Sequence, residues 1–405
     1  MSSEFLLSIP LKTSCEVVLL EALKVPFKEA SYSVKDAALI ASMEEFQKFR
    51  NQVVNKSLPK NAASLELLYR YHDQLVSLGA RLPNMAHKPP NITIYWDDAC
   101  DKGGLFGGKA NITTSSFELE RLCIIFNIAA LQTTLAAESR AADTDEELKN
   151  AAKFYQSAAS IMNFLSECKN PVLEGVTLTQ DLKPEVLSAL SALMLAQAQE
   201  VFIDKAIKDK MKETIIAKLC VQAEDMFSDA ASKLSKDTIK HLWDRAWLNN
   251  VAAKKLGYVA LSHYFQSTVC ASKKQYGEQL ARLDLFLRGV KKAQEKMGSS
   301  TYLAVHVADA ELKYKDAKKD NDFIYNEVIP KEDDLAPIDK VGSARLSKLG
   351  TVPEAFSSHF VDIFINAVQK GGSHGGDGPT LKSIINTAAG SLGQYLVNMA
   401  SKDKK

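Results

Sequence analysis

Apolar residues recur at helical spacing over most of this chain, at i, i+3, i+4 and i+7. A first helical stretch is predicted from about Ser33 to Leu78, with ALIASMEEFQKFRNQVV and LELLYRYHDQLVSL as its two clear pieces. From Glu118 to Met297 the pattern is almost wholly helical. Four segments there, FELERLCIIFNIAALQTTLAAES, EELKNAAKFYQSAASIMNFLSEC, KPEVLSALSALMLAQAQEVFIDKAI and AKKLGYVALSHYFQSTVC, alternate large and small apolar residues. Clusters of small residues, AAKFYQSAAS and ALSALMLAQAQ, let neighbouring helices approach closely. Pro171, Gly175, Pro184 and the SKLSKD segment punctuate the run. This predicts stacked helical hairpins of tetratricopeptide-like character, without the strict period of about 34 residues.

A period of two appears only near the start. EFLLSIP reads as a short extended segment, and Ile92, Ile94 and Trp96 alternate with Thr93 and Tyr95 as in a strand. ANITTSSF offers another, so a small two- or three-stranded sheet is expected to pack on helices. Residues 318 to 358 carry three prolines and little helical periodicity, which predicts an extended segment laid along the helical body. GGSHGGDG at 371–378 reads as a flexible linker. A final amphipathic helix, 379–405, places Leu381, Ile384, Ile385, Ala388, Leu392, Tyr395, Leu396 and Met399 on one face.

The segment 193–219, LMLAQAQEVFIDKAIKDKMKETIIAKL, has more apolar surface in its second half than one buried stripe requires. Met211, Ile215 and Leu219 form one row at i, i+4 spacing. Ile216, Cys220, Ala223 and Phe227 form a second row, turned about 100° away. Lysines 205, 208, 210, 212 and 218 surround the first row. Periodicity leaves two readings open: both rows are core, or one row is offered to a partner.

Composition narrows the function classes. Hydrophobic residues make up 46% of the 405, enough for a sizeable core in one large or several smaller domains. Fifty basic and 49 acidic side chains leave a net charge of +1, so no global field points to nucleic acid. The six cysteines show no paired spacing, and several sit in apolar helical runs as free thiols of a reducing compartment do. The N-terminus lacks a signal-peptide pattern, and no apolar run is expected to cross a bilayer, so a cytoplasmic protein is expected.

Catalytic and cofactor motifs fail on inspection. GGLFGGKA at 103–110 nearly matches a phosphate loop, but Ala110 supplies no hydroxyl for magnesium and the loop runs into strand-like ANITT. A turn with an exposed Leu105-Phe106 tip fits better, and such a tip is a contact element. Seven histidines form no metal-ligand spacing, and no nucleophile elbow is present. No enzyme, metal, cofactor or small-molecule substrate is expected. Lys205, Lys208, Lys210 and Lys212 leave contact with an anionic membrane open.

Five strings then become specific together. DACDKGGLFGG, LMLAQAQEVF, KDKMKETIIAKL, YGEQLARL and KKDNDFIYNEVIP, in this order, resemble the BRO domain of the Alix family, from about Phe5 to Phe364. The resemblance implies a mainly α fold: a curved, banana-shaped helical solenoid with a tetratricopeptide-like core and a small N-terminal sheet. A BRO domain over 1–370 is expected, followed by the linker and the amphipathic helix.

The resemblance also implies a non-enzymatic adaptor of the ESCRT pathway, cytoplasmic and recruited to endosomes. Its partner would be the C-terminal amphipathic helix of an ESCRT-III subunit, a charged multivesicular body protein, held in an apolar patch on the concave face. Carried across by motif, the patch falls on Phe202, Ile215 and Leu219, with lysines such as Lys205 and Lys212 meeting acidic residues of the partner. Phe106 and Tyr325 correspond to secondary surface contacts. The alternative is a membrane-surface scaffold that uses the basic faces and the C-terminal helix. The second domain and proline-rich tail of full-length Alix are not in this sequence, and functions that reside there are not carried over.

Overall fold

A computed structural model describes residues 6–86, 88–103, 108–168, 176–346, 357, 359–367 and 369. Among these are ten α-helices: α1 Leu20–Glu29, α2 Ala37–Val53, α3 Ala62–Arg81, α4 Phe117–Ala142, α5 Asp145–Glu167, α6 Pro184–Lys208, α7 Glu213–Leu234, α8 Arg245–Ser272, α9 Tyr276–Met297 and α10 Ala304–Asp320. Local chemistry sets several of their ends. The Asp36 and Asn61 side chains accept backbone N–H groups of Ala38 and Ser64 and so start α2 and α3. Gly298, at φ +75°, closes α9 in the left-handed conformation glycine adopts without penalty. The predicted stretch 33–78 thus resolves into α2 and α3. The unpredicted α1 precedes them, with Pro26 tolerated inside it.

Two strands, β1 Ile94–Asp97 and β2 Asn111–Thr114, pair antiparallel with Trp96 opposite Ile112. Ile94 and Trp96 point inward and Tyr95 outward, as the alternation requires. Ser14 bridges to Trp96, so a third segment touches the sheet edge without forming a strand.

The chain divides into two compact units. One gathers Pro10–Leu131, Phe164–Pro184 and the described residues after 356. Its core holds two buried ion pairs, Arg50–Glu120 at 2.9 Å and Lys12–Asp181 at 2.6 Å. Tyr71 donates a hydrogen bond to the same Glu120 oxygen. An aromatic cluster of Phe27, Phe46 and Phe364 fills the space between α1, α2 and the returning chain.

The other unit takes the chain up to Ile9, Gln132–Asn163 and Glu185–Ser347. Here α7, α8 and α9 stack as successive hairpins, and Phe227 lies flat on Tyr258 at 5.6 Å between α7 and α8. After α10 the chain makes one π-helical turn, Asn321–Tyr325, and then runs extended to residue 346 apart from a short turn at Glu332–Asp334.

One expectation is corrected. α4 and α6 are long and apolar enough to cross a membrane, yet 78% of the qualifying window of each is buried within the protein. Burial of most of an apolar helix inside the protein is the pattern of a core helix.

Candidate partner-binding surface

The surface is built on the turn between α6 and α7. Lys208 ends α6, Asp209–Lys212 form the turn, and the Lys212 carbonyl accepts the N–H groups of Ile215 (2.8 Å) and Ile216 (3.2 Å) to start α7. Register across the hairpin is fixed by one side chain. The Gln199 amide donates to the Leu219 carbonyl at 3.2 Å, which sets these two residues level. Phe202 on α6 and Ile215 on α7 both lie on the loop side of this bond.

Phe202 and Ile215 are half-buried, and Met211 in the turn is exposed. Leu219 departs from the expectation: it is 4% exposed and lies with the core row of Ile216, Cys220, Ala223 and Phe227. The extended segment 339–345 is hung across this helix pair, with Ser343 N and Ala344 N both donating to Gln199 Oε1 at 3.0 Å. Val341 N donates to the Lys218 carbonyl, Asp339 pairs with Lys218 at 2.9 Å, and Lys340 pairs with Asp225. By its burial Leu219 is floor rather than exposed surface. The available apolar surface is Phe202, Met211 and Ile215.

The rim charges are also redistributed. Lys205 is not a free cation: it pairs with Asp209 at 2.5 Å and Asp145 at 3.6 Å, and the hydrogen bond to Asp209 raises its affinity for the proton. Lys208 reaches the Asp143 carbonyl and carboxylate. Lys212 is exposed, as is Lys210 at φ +51°, and neither forms an ion pair among the described residues. These two are the cations open to a partner.

A buried ion cluster ties α6 to α4 and α8. Arg140 of α4 reaches Glu200 at 3.1 Å and Asp204 at 2.6 Å, while Lys254 of α8 reaches Glu200 at 2.8 Å. Burial works to raise the Glu200 carboxyl, but Arg140 and Lys254 outweigh it and hold the group below its ordinary value. At Asp204 burial wins and the carboxyl is raised. Burial likewise lowers Lys254 against the pull of Glu200. The charges are committed to one another inside the protein, and the arrangement offers rigidity rather than acid–base chemistry.

The secondary elements divide. Phe106 lies outside the described residues. At the base of its loop, Gly103 N and Ala110 N donate to the two oxygens of Asp101, at 2.9 and 2.7 Å. Amides that could face a phosphate are thus taken by a carboxylate. Tyr325 is exposed and stacks face to face on Tyr276, with centroids 3.6 Å apart. Gln199, the residue that ties α6, α7 and the extended segment together, was missed by periodicity. In sequence it is one of three polar residues, with Gln197 and Glu200, in the LMLAQAQEVF run.

A family model described as a BRO1-like domain matches residues 6–368. The chain belongs to the BRO1-like domain family. It is 35% identical over 367 residues to apoptosis-linked gene 2-interacting protein X 1 of Caenorhabditis elegans, covering 88% of this chain and 40% of that protein. Human programmed cell death 6-interacting protein is 36% identical over 362 residues, with the same two coverages. A vacuolar protein-sorting protein, bro-1 of Neurospora crassa, is 28% identical over 361 residues, 84% of this chain and 34% of that one. The chain therefore spans about two-fifths or less of these relatives. Among solved structures, the ALIX BRO1 CHMP4C complex matches with TM-score 0.80 and 35% identity, over 89% of this chain and 99% of that one. The mainly helical fold with a small sheet, expected from the resemblance, is that of this BRO1 domain.

Proposed function

We propose that this BRO1-like domain is a non-enzymatic adaptor that binds the C-terminal amphipathic helix of an ESCRT-III subunit, in endosomal sorting and membrane scission. It is cytoplasmic in this reading and recruited to endosomes through that contact. The observation that carries the proposal is the likeness, over 99% of its length, to a BRO1 domain solved with CHMP4C. The local geometry supports it. Phe202 and Ile215 are half-buried on successive helices, with Met211 exposed in the turn between them. An amphipathic helix docks such a surface through i, i+3, i+4 anchors, and Lys210 and Lys212 meet acidic residues on its flank.

Ile215→Asp tests the proposal, with affinity for a labelled C-terminal peptide of an ESCRT-III subunit measured by fluorescence anisotropy. Placing a carboxylate against an apolar partner face costs several kcal/mol, roughly a hundredfold or more in affinity. Unchanged affinity in a variant of normal thermal stability refutes the site. The exposed Lys210-Met211-Lys212 turn also suits an anionic membrane. That mode would survive Ile215→Asp and weaken sharply with salt in liposome co-sedimentation.

A further inference from the structure

The turn that follows α10 carries an apolar surface that the partner-binding hairpin does not use. Phe323 is 80% exposed, Ile324 63% and Val328 88%, with Tyr325 and Ile329 exposed beside them. Side chains so placed normally belong to mobile loops, but here the backbone beneath them is fixed in several ways. Asn321 is buried and clasps both backbone groups of Glu327, accepting its N–H and donating to its carbonyl, each at 3.0 Å. Asn326 takes the left-handed conformation at φ +51°. Glu327 in turn accepts the Gly277 N–H at 2.8 Å. A Cβ on Gly277 would stand 2.3 Å from the Val328 carbonyl oxygen, so this close approach admits only glycine. Tyr325 is stacked on Tyr276. The result is a rigid apolar knuckle, for which little ordering entropy remains to be lost on binding.

We propose that this knuckle and the outer face of α10 form a self-association surface, occupied by a second copy of this chain. Three observations favour that occupant. At the stated exposures the five knuckle residues present roughly 600 Å², about what one side of a small stable dimer buries. The surface continues along α10 through the exposed Leu312 and Val305. Two α10 helices crossing antiparallel near Tyr314 would set Val305 of one copy against Phe323 of the other.

The third observation is the charge around the apolar centre. The rim carries both signs: Lys274, Lys318 and Lys319 beside Asp320, Asp322 and Glu327. Lys318 already pairs with Asp322 at 3.0 Å. A two-fold contact must complement itself, which a mixed rim does and a rim of one sign does not. An anionic bilayer would call for a basic rim, which this is not.

Sedimentation velocity on the full chain, from about 1 to about 500 µM, tests the proposal over the affinity range that small interfaces reach. The wild type is expected to shift with concentration from its 44.5 kDa monomer to twice that mass. The Phe323→Ser/Val328→Ser variant, altered only at exposed side chains, should stay monomeric, and Ile215→Asp should dimerise like the wild type. A wild type that is monomeric throughout, or a dimer that persists in the double variant, overturns the proposal. So does a monomer whose binding to phosphatidylcholine–phosphatidylserine vesicles depends on Phe323, which would assign the knuckle to a membrane.

Discussion

Truncating Leu219 and Ile215 to alanine should have clearly different costs, although the two residues share one sequence row and lose the same number of carbon atoms. Leu219 is 4% exposed, so Leu219→Ala removes three carbons from a water-free site, about 2.4 kcal/mol of transfer free energy at about 0.8 kcal/mol each. The cavity left beside Ile216 and Cys220 raises the total to about 3–4 kcal/mol. Ile215 is half-buried and its site can relax towards solvent, so Ile215→Ala should cost about half as much or less. The assay is urea unfolding followed by fluorescence of Trp243 and Trp247, which stack 5.9 Å apart at the start of α8 in the same compact unit. A Trp96→Phe background removes the signal of the other unit. At a slope of about 2 kcal/mol per molar urea, the two midpoints should separate by about 1 M. Equal costs would refute the division of the row into floor and contact surface.

Other outcomes follow from the same structure. Glu200→Gln leaves Arg140 and Lys254 buried without their shared carboxylate and should destabilise the unit by about 3–5 kcal/mol in the same urea assay. Gln199→Ala should release the segment 339–345, seen as faster amide exchange at Ser343 and Ala344, the two donors to its side-chain oxygen. Burial, aided by Arg282, lowers His263 from 6.5 to about 4, so the unfolded chain binds this proton first as pH falls. The contribution of His263 is then complete above pH 6.5 and declines down to about pH 4, by about 3 kcal/mol, and His263→Gln should flatten the slope of pH-dependent thermal melts by that share.

The helical core was legible because α4 through α9 obey helical periodicity, and β1 because Ile94 and Trp96 alternate with Tyr95. What stayed hidden depends on pairings remote in sequence. Periodicity placed Leu219 beside Ile215, but not the Gln199 side chain that binds its carbonyl and a segment more than a hundred residues later. Lys205 is neutralised first by Asp209, an i, i+4 pair within reach of sequence reasoning, and only the longer contact with Asp145 of α5 needs the fold. Of the knuckle, Tyr325 was legible as a surface contact, but its rigidity was not, because Asn321, Gly277 and Glu327 carry no periodic signal although together they fix it. α1 was obscured by Pro26, whose ring ordinarily argues against a helix interior.

The most direct measurement is the affinity of the full chain and its Ile215→Asp variant for the C-terminal helix of an ESCRT-III subunit, read beside their thermal melts. Wild-type binding that falls about a hundredfold or more in a variant of unchanged melting temperature is the predicted result. Equal affinity of the two proteins, or no wild-type binding to any ESCRT-III subunit helix, contradicts the account.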